Sequence, residues 1–316
     1  MVRDRECYGS VPSTAQRGAT TGRPGTRMNA SASLPPADRQ RLRAAGSITG
    51  AGACHVLSEL HQSGGAKIRL PRSGRQGLSA VLLNTAGGLT GGDRIDWSAS
   101  ADRGARVVVA SAASEKVYRT HGPDAEQNTT LHVGPDARLD WLPQETILFD
   151  RSRLRRTLTA TLSPDACLLV VEALVLGRRA SGETLRTAAV RDDWRIHRDG
   201  RLLHAESLRI DTDAWQALAQ GTGTLHGIGA IATILWCAPD RRESLRSLAA
   251  ELHASLDARR TSVDDLGVRR LGGASALEGR VVVRLAASSG FELRKMLLPS
   301  LSRLQGDAPL PRVWHV

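Results

Sequence analysis

From Ser47 onward, apolar and polar positions mostly alternate, the period of half-buried strands. Arg106–Val109 leads into Ala110–Ser114 as a buried strand. Thr129–Val133 and Arg138–Leu142 flank Gly134-Pro135-Asp136-Ala137, while Leu154–Leu162 and Cys167–Val171 flank the near copy Ser163-Pro164-Asp165-Ala166. Proline presets the backbone for a turn and the neighbouring Asp bonds it locally, so both segments predict hairpins. A third hairpin is expected from Trp194–His197 and Leu202–Ala205 around Asp199-Gly200, a strong short turn signal. Thr224–Cys237, Val268–Leu271 and Arg280–Ala286 fit further strands. Short strands with a turn every ~8–12 residues indicate a sandwich, barrel or solenoid.

Two segments switch to the helical period. After Pro239, Asp240-Arg241-Arg242-Glu243 has capping-box spacing, and Leu245, Leu248, Leu252 and Leu256 then fall on one face. Ser289-Gly290-Phe291-Glu292 repeats the spacing ahead of Leu293, Met296 and Leu297, with Pro299 expected to end or kink the helix. Both leucine stripes read as core.

Residues 1–45 break this pattern. They are rich in Gly, Pro, Ser, Thr, Ala and Arg, with almost no large aliphatic side chains. Such a segment cannot bury enough apolar surface to offset its conformational entropy, so it reads as a disordered basic tail ahead of one β-rich domain over 46–316. An upstream start or dispensable extension, with Met28 as the start, is favoured over a targeting role. The segment lacks the apolar core of a secretory signal.

Composition narrows the function classes. The longest apolar stretches, Cys167–Val171 and Ile228–Cys237, have strand dimensions and fall far short of the ~20 residues of a membrane span. Net charge is +11 with a sequence pI near 10.7. Only Lys67, Lys116 and Lys295 are lysines, so the charge is arginine, spread along the chain and interleaved with Asp and Glu. That pattern fits an acidic protein partner as well as nucleic acid, and aromatics at 3% disfavour stacked bases. Cys7, Cys54, Cys167 and Cys237 form no C-x-x-C pair, and a cytoplasmic protein with reduced thiols is expected.

Several motifs resolve into ordinary structure. Gly87-Gly88-Leu89-Thr90-Gly91-Gly92-Asp93 lacks the Lys of a phosphate-binding loop and ends in a carboxylate that repels phosphate. Tight turns with close backbone approach explain it better. Gly227-Ile228-Gly229-Ala230-Ile231-Ala232 matches a dinucleotide fingerprint in letters, but it runs into a β-branched strand rather than a helix. No G-x-S-x-G, H-E-x-x-H or close His/Cys cluster occurs, so a permanent zinc or nickel site from local ligands is not expected. Polar residues do stand out in Leu142–Asp150, where Gln144, Glu145 and Asp150 lie among apolar neighbours. Glu172, inside Val170–Leu174, needs a partner if buried, and Arg178 or Arg155 are the sequence candidates.

Five ordered segments resemble the urease accessory protein UreD family, called UreH in some organisms. They are Leu83–Asp93, Ser114–Arg119, Leu142–Arg156, Glu172–Glu183 and Leu310–Trp314, spread over about Ile48 to Val316. Thr85-Ala86 stands where many members carry proline, and the tail before about Ala45 matches nothing in the family pattern. The resemblance implies a mostly β fold, an elongated β-solenoid-like body of many short strands with two helices. It implies a non-catalytic chaperone-scaffold required for nickel insertion, bridging the urease apoprotein to UreF and, through UreF, to the GTPase UreG. By the same resemblance, Asp93, Glu115, Tyr118, Glu145, Asp150, Glu172 and Glu183 line or support an internal nickel route. No tightly bound cofactor is implied, only nickel in transit, and neither nucleic acid nor membrane is an expected partner. The competing readings are a small-molecule enzyme using Gln144, Glu145 and Asp150 as acid and base, and an arginine-driven RNA-binding protein.

Overall fold

The computed structural model describes residues 41–71, 77–178, 182–183, 185–221, 225–239, 242–260, 269–306 and 308–315. In chain order the first strands are β1 (Arg43–Ala51), β2 (Val56–Ser63), β3 (Ala66–Arg69), β4 (Leu78–Asn84), β5 (Arg94–Ala101) and β6 (Arg106–Ser111). They are followed by β7 (Glu115–Val117), β8 (Ala125–Val133), β9 (Arg138–Leu142), β10 (Thr146–Leu148), β11 (Ser152–Leu162) and β12 (Cys167–Leu176). The rest comprises β13 (Ala188–Arg198), β14 (Arg201–Ile210), α1 (Trp215–Gln220), β15 (Ala230–Cys237), α2 (Arg242–Asp257), β16 (Arg270–Leu277), β17 (Arg280–Ala287) and α3 (Gly290–Gln305), then a 3-10 turn at Arg312–Trp314.

The strands wind into a β-solenoid-like arrangement of about four turns. One sheet has the order β14-β13-β11-β8-β5-β1-β2 and the other runs β16-β17-β15-β12-β9-β6-β4-β3. Both are parallel at their centres and antiparallel at their ends. Leu78, Val107, Leu139 and Leu168 stack in register, each about 30 residues after the last, a spacing typical of coiled repeats.

This geometry corrects two of the three expected hairpins. β8 and β9 belong to different sheets, as do β11 and β12. The Pro-Asp turns are corners that carry the chain from one sheet to the other, and each strand pairs with the coil above or below it. Turn chemistry sets a local reversal; it does not choose the pairing partner. The corners stack too, since Gly134 N–H donates to Ala101 O at 2.8 Å and Ser163 N–H to Val133 O at 2.9 Å. The third hairpin is a true one: β13 pairs antiparallel with β14, and Asp199 and Gly200 have φ of 49° and 71°, as a two-residue turn of the favoured hand requires.

Side-chain alternation explains the layers. In β11 the pattern Leu154, Arg156, Leu158, Ala160 points into the coil, while Arg155 and Thr159 point outward. β12 reads as an almost continuous apolar run because both its faces are covered. Leu168, Val170 and Leu174 join the coil interior with Trp97, Trp141 and Trp194. Leu169, Val171 and Ala173 join a second core beneath α2 and α3. Each fully buried aliphatic side chain there stabilises the fold by about 1.5–3 kcal/mol. Gly229 sits where a Cβ would lie 2.2 Å from Ser288 O, so the letter match to a dinucleotide fingerprint reflects close strand packing.

Two boundaries differ from expectation, and one short helix was not expected. β1 opens at Arg43 with Ala44 buried, so the folded part begins slightly before residue 46; the rest of the expected tail, and Met28, lie outside the described residues. Asp240 and Arg241 of the first capping box also lie outside them. Ser289 does cap α3, accepting the Glu292 N–H at 3.2 Å, but the helix continues through Pro299 to Gln305. Buried Met296, Leu297, Leu301 and Leu304 hold it against the sheet despite the lost bond. The short α1, with buried Trp215 donating to Leu185 O, was not legible from periodicity over six residues.

Candidate functional site

The alternation that sends Arg156 inward creates the most unusual feature of the interior. Gln127, Arg156 and Asp192 occupy one register row across β8, β11 and β13, facing into the coil. Glu172 of β12 meets them from the opposite sheet. Arg156 Nη1 lies 2.6 Å from Glu172 Oε2, and Nη2 lies 2.5 Å from Asp192 Oδ2. The remaining carboxylate oxygens accept indole N–H groups, Trp141 Nε1 to Glu172 and Trp194 Nε1 to Asp192, each at 3.1 Å. Glu172 therefore has the partner its burial demands, but it is Arg156. Arg155, one residue away, faces solvent by strand alternation, and Arg178 pairs with Glu183 instead.

Burial opposes the charge on Arg156, yet the Asp192 and Glu172 carboxylates outweigh it and hold the guanidinium protonated. Burial pushes the Glu172 carboxyl up, against the lowering by Arg156, with the Asp192 charge adding to the rise. Ions this buried cost several kcal/mol each in desolvation, and apolar packing of the same volume is often as stabilising or more so.

Two cavities meet this cluster, and Glu172 lines both. The first, about 190 Å³, is also lined by Asn84, Glu115, Gln127, Trp141 and Gln144, and its lining includes exposed Ala112, Ala113 and Lys116. Gln127 Oε1 has no protein partner among the described residues. The second, about 390 Å³, is lined by Arg156, Asp192, Glu206, Thr233 and Arg284, among others, with Ser207 and Arg284 exposed. Burial works to raise Glu206, but His204, Arg284 and Thr233 together hold it below the ordinary carboxylate range. Burial pushes Glu115 up despite the Asn84 amide, which donates to both its oxygens at 3.1–3.2 Å.

The other residues singled out in the sequence lie apart from this row. Asp93 is buried as an acceptor of backbone N–H groups from Leu42 and Thr90, both at 2.8 Å, and so fastens the glycine loop to the chain ahead of β1. Gly91 lies so close to its neighbours that a Cβ would sit 2.5 Å from Pro123 O. Tyr118 donates to Gly87 O at 3.1 Å and packs edge-on against Phe149. Asp150 accepts the N–H groups of Arg186 and Thr187, and its own N–H donates to Glu183. Glu145 pairs with Arg294 of α3 at 2.9 Å; Gln144 also bonds Arg294 and donates to Val313 O at 2.9 Å. These bonds, with Trp314 Nε1 donating to Leu142 O, dock α3 and the C-terminal turn onto the loop after β9. Gln144 and Glu145 thus hold α3 and the C-terminal turn, while Asp150 serves a separate part of the framework.

Participants missed in the sequence include Gln127, Arg156, Asp192 and Glu206. Arg156 and Asp192 carried a signal, each being a charge at the inward phase of an alternating strand, Leu154-x-Arg156-x-Leu158 and Val190-x-Asp192-x-Trp194. No group of three or more His, Cys, Asp or Glu side chains among the described residues could hold a metal ion. Burial pushes the Cys237 thiol up to about 12, so it is a neutral core thiol rather than a reactive thiolate. No helix in the described residues is long and apolar enough to cross a membrane.

Fold and interior together define a β-solenoid-like protein with a charged, cavity-flanked core. The family model for the UreD urease accessory protein matches residues 39–315. A urease accessory protein UreD from Rhizobium leguminosarum bv. viciae is 47% identical over 260 residues, covering 82% of this chain and 89% of the relative. One from Sinorhizobium medicae (strain WSM419) is 41% identical over 293 residues, covering 91% of this chain and 99% of the relative. The chain belongs to the UreD urease accessory protein family, whose role is in urease maturation.

Proposed function

We propose that the protein is a non-catalytic scaffold for nickel insertion into urease, joining the urease apoprotein to UreF and, through it, to UreG, and that nickel crosses its interior as cargo. The observation supporting a route is the shared wall: two cavities, the second also lined by Arg156, both reach Glu172. Of the seven sequence-derived residues, Glu115 and Glu172 belong to this path, and Asp192 and Glu206 extend it. Asp93, Tyr118, Glu145, Asp150 and Glu183 act on the route by holding the loops and helix around it. Carboxylates, an amide and hydroxyl groups suit a cargo that must be released, because hard oxygen ligands hold nickel less tightly than imidazole or thiolate. The framework bonds of Glu145 and Asp150 favour this reading over an acid–base enzyme, which needs such groups aimed at one substrate.

The test is reconstitution of urease activation from apoenzyme, the other accessory proteins, nickel and GTP, with and without this chain. Activity and urease-bound nickel are expected only when it is present. Equal activation without it would refute the proposal.

A further inference from the structure

The outward face of the seven-stranded sheet carries a charge pattern that neither the fold nor the interior route uses. Arg43, Arg94, Glu126, Arg155, Arg191 and Arg209 lie in one register row across β1, β5, β8, β11, β13 and β14. At about 4.8 Å between strands, the row spans about 24 Å. Like charges directly opposite one another on adjacent strands are destabilising. The ends are partly relieved, since Arg94 pairs with Asp96 and Glu126, and Arg209 with Asp211. At the centre, Arg155 and Arg191 are adjacent, exposed and without an ion-pair partner among the described residues. The neighbouring polar row does not supply one. Its Asp193 accepts from Ser207 at 2.6 Å, and Thr157 and Asn128 bond each other at 2.7 Å.

We infer that this arginine row is a docking surface for a folded protein partner that presents carboxylates, seated across β11, β13 and β14. The two long helices, α2 and α3, pack on the other sheet, against β12, β15, β16 and β17, so neither of them covers this face. The first 40 residues carry six arginines against Asp4, Glu6 and Asp38, so the chain's own N-terminal segment has the wrong charge to neutralise it. Guanidinium forks recognise carboxylates in two-point fashion, and arginine is enriched at protein interfaces. A nucleic-acid backbone fits poorly. Glu126 interrupts the row, Asp96 and Asp193 lie beside it, and the outward positions of these rows hold no aromatic side chain on which bases could stack. The adjacent row ends at Ser207, an exposed residue that lines the second cavity, so a partner seated here would border that cavity's rim. The inference rests on the reading that the chain works in a urease-maturation assembly.

The experiment measures binding of the full chain to purified urease apoprotein and, separately, to purified UreF, over a range of salt. Arg155→Glu/Arg191→Glu is compared with wild type and with Arg155→Lys/Arg191→Lys, with folding checked by circular dichroism. The expected result is that one of the two associations weakens by about tenfold or more in the Glu variant and loses much of its salt dependence. The Lys variant should retain most of the affinity. Equal binding by the folded Glu variant and wild type would overturn the inference while leaving the maturation role standing. Loss confined to binding of an RNA homopolymer would overturn it too. If wild type binds neither protein, both the inference and the scaffold reading fail.

Discussion

Replacing Arg156 with methionine keeps most of the side-chain volume but leaves Glu172 and Asp192 buried without their cation. The guanidinium contacts at 2.6 and 2.5 Å are lost, while both indole donors remain. Removing one partner from a buried charge pair costs about 3–5 kcal/mol. For a domain of this size, with roughly 2 °C per kcal/mol, the midpoint should fall by about 6–10 °C. Equilibrium denaturant unfolding is the direct assay, and fluorescence suits it because Trp141 and Trp194 touch the two carboxylates. The triple variant Arg156→Met/Glu172→Gln/Asp192→Asn removes the unpaired charges and should recover more than half of the loss. A cost below about 1 kcal/mol for Arg156→Met would refute the reasoning. A triple variant less stable than Arg156→Met would refute it as well.

Three further outcomes follow from the same contacts. Asp93→Ala leaves the N–H groups of Leu42 and Thr90 unpaired and should cost about 2–3 kcal/mol by denaturant unfolding, with amide exchange rising first at Leu42. Trp314→Ala empties a buried site and removes the bond to Leu142 O; a loss of about 3–5 kcal/mol is expected, readable as a lower unfolding midpoint. Glu115 has a folded-state pKa raised above its ordinary 4.5, so its ionisation penalises the fold only as pH rises past that value. The stability of Glu115→Gln relative to wild type should therefore increase from pH 4 to pH 8, and a pH-independent difference between the two would contradict the assigned environment.

The sequence made the strands, the two long helices and the family legible, because alternation, capping and ordered motifs are all local signals. Topology was less legible. Gly134–Ala137 and Ser163–Ala166 announce reversals, but a reversal between sheets and one within a sheet use the same residues. Glu172 stood out because a carboxylate in Val170–Leu174 breaks a buried run, whereas its partner is settled only by phase, which points Arg156 inward and Arg155 outward. Glu145 and Asp150 were conspicuous in the sequence for the same reason as Glu172, yet their partners, Arg294 and the Arg186–Thr187 backbone, lie far along the chain. The arginine row was invisible without the register, since its members are scattered from Arg43 to Arg209.

The central claim is that nickel passes through the interior, and Leu208→Trp tests it most directly by placing an indole in the second cavity from a partly buried position on its wall. Urease-bound nickel should be measured after reconstitution with wild type and with the folded variant, each shown to join the assembly with the urease apoprotein. The account predicts that the variant assembles normally but loads far less nickel. Wild-type loading through a folded variant whose indole is shown to occupy the cavity would contradict it.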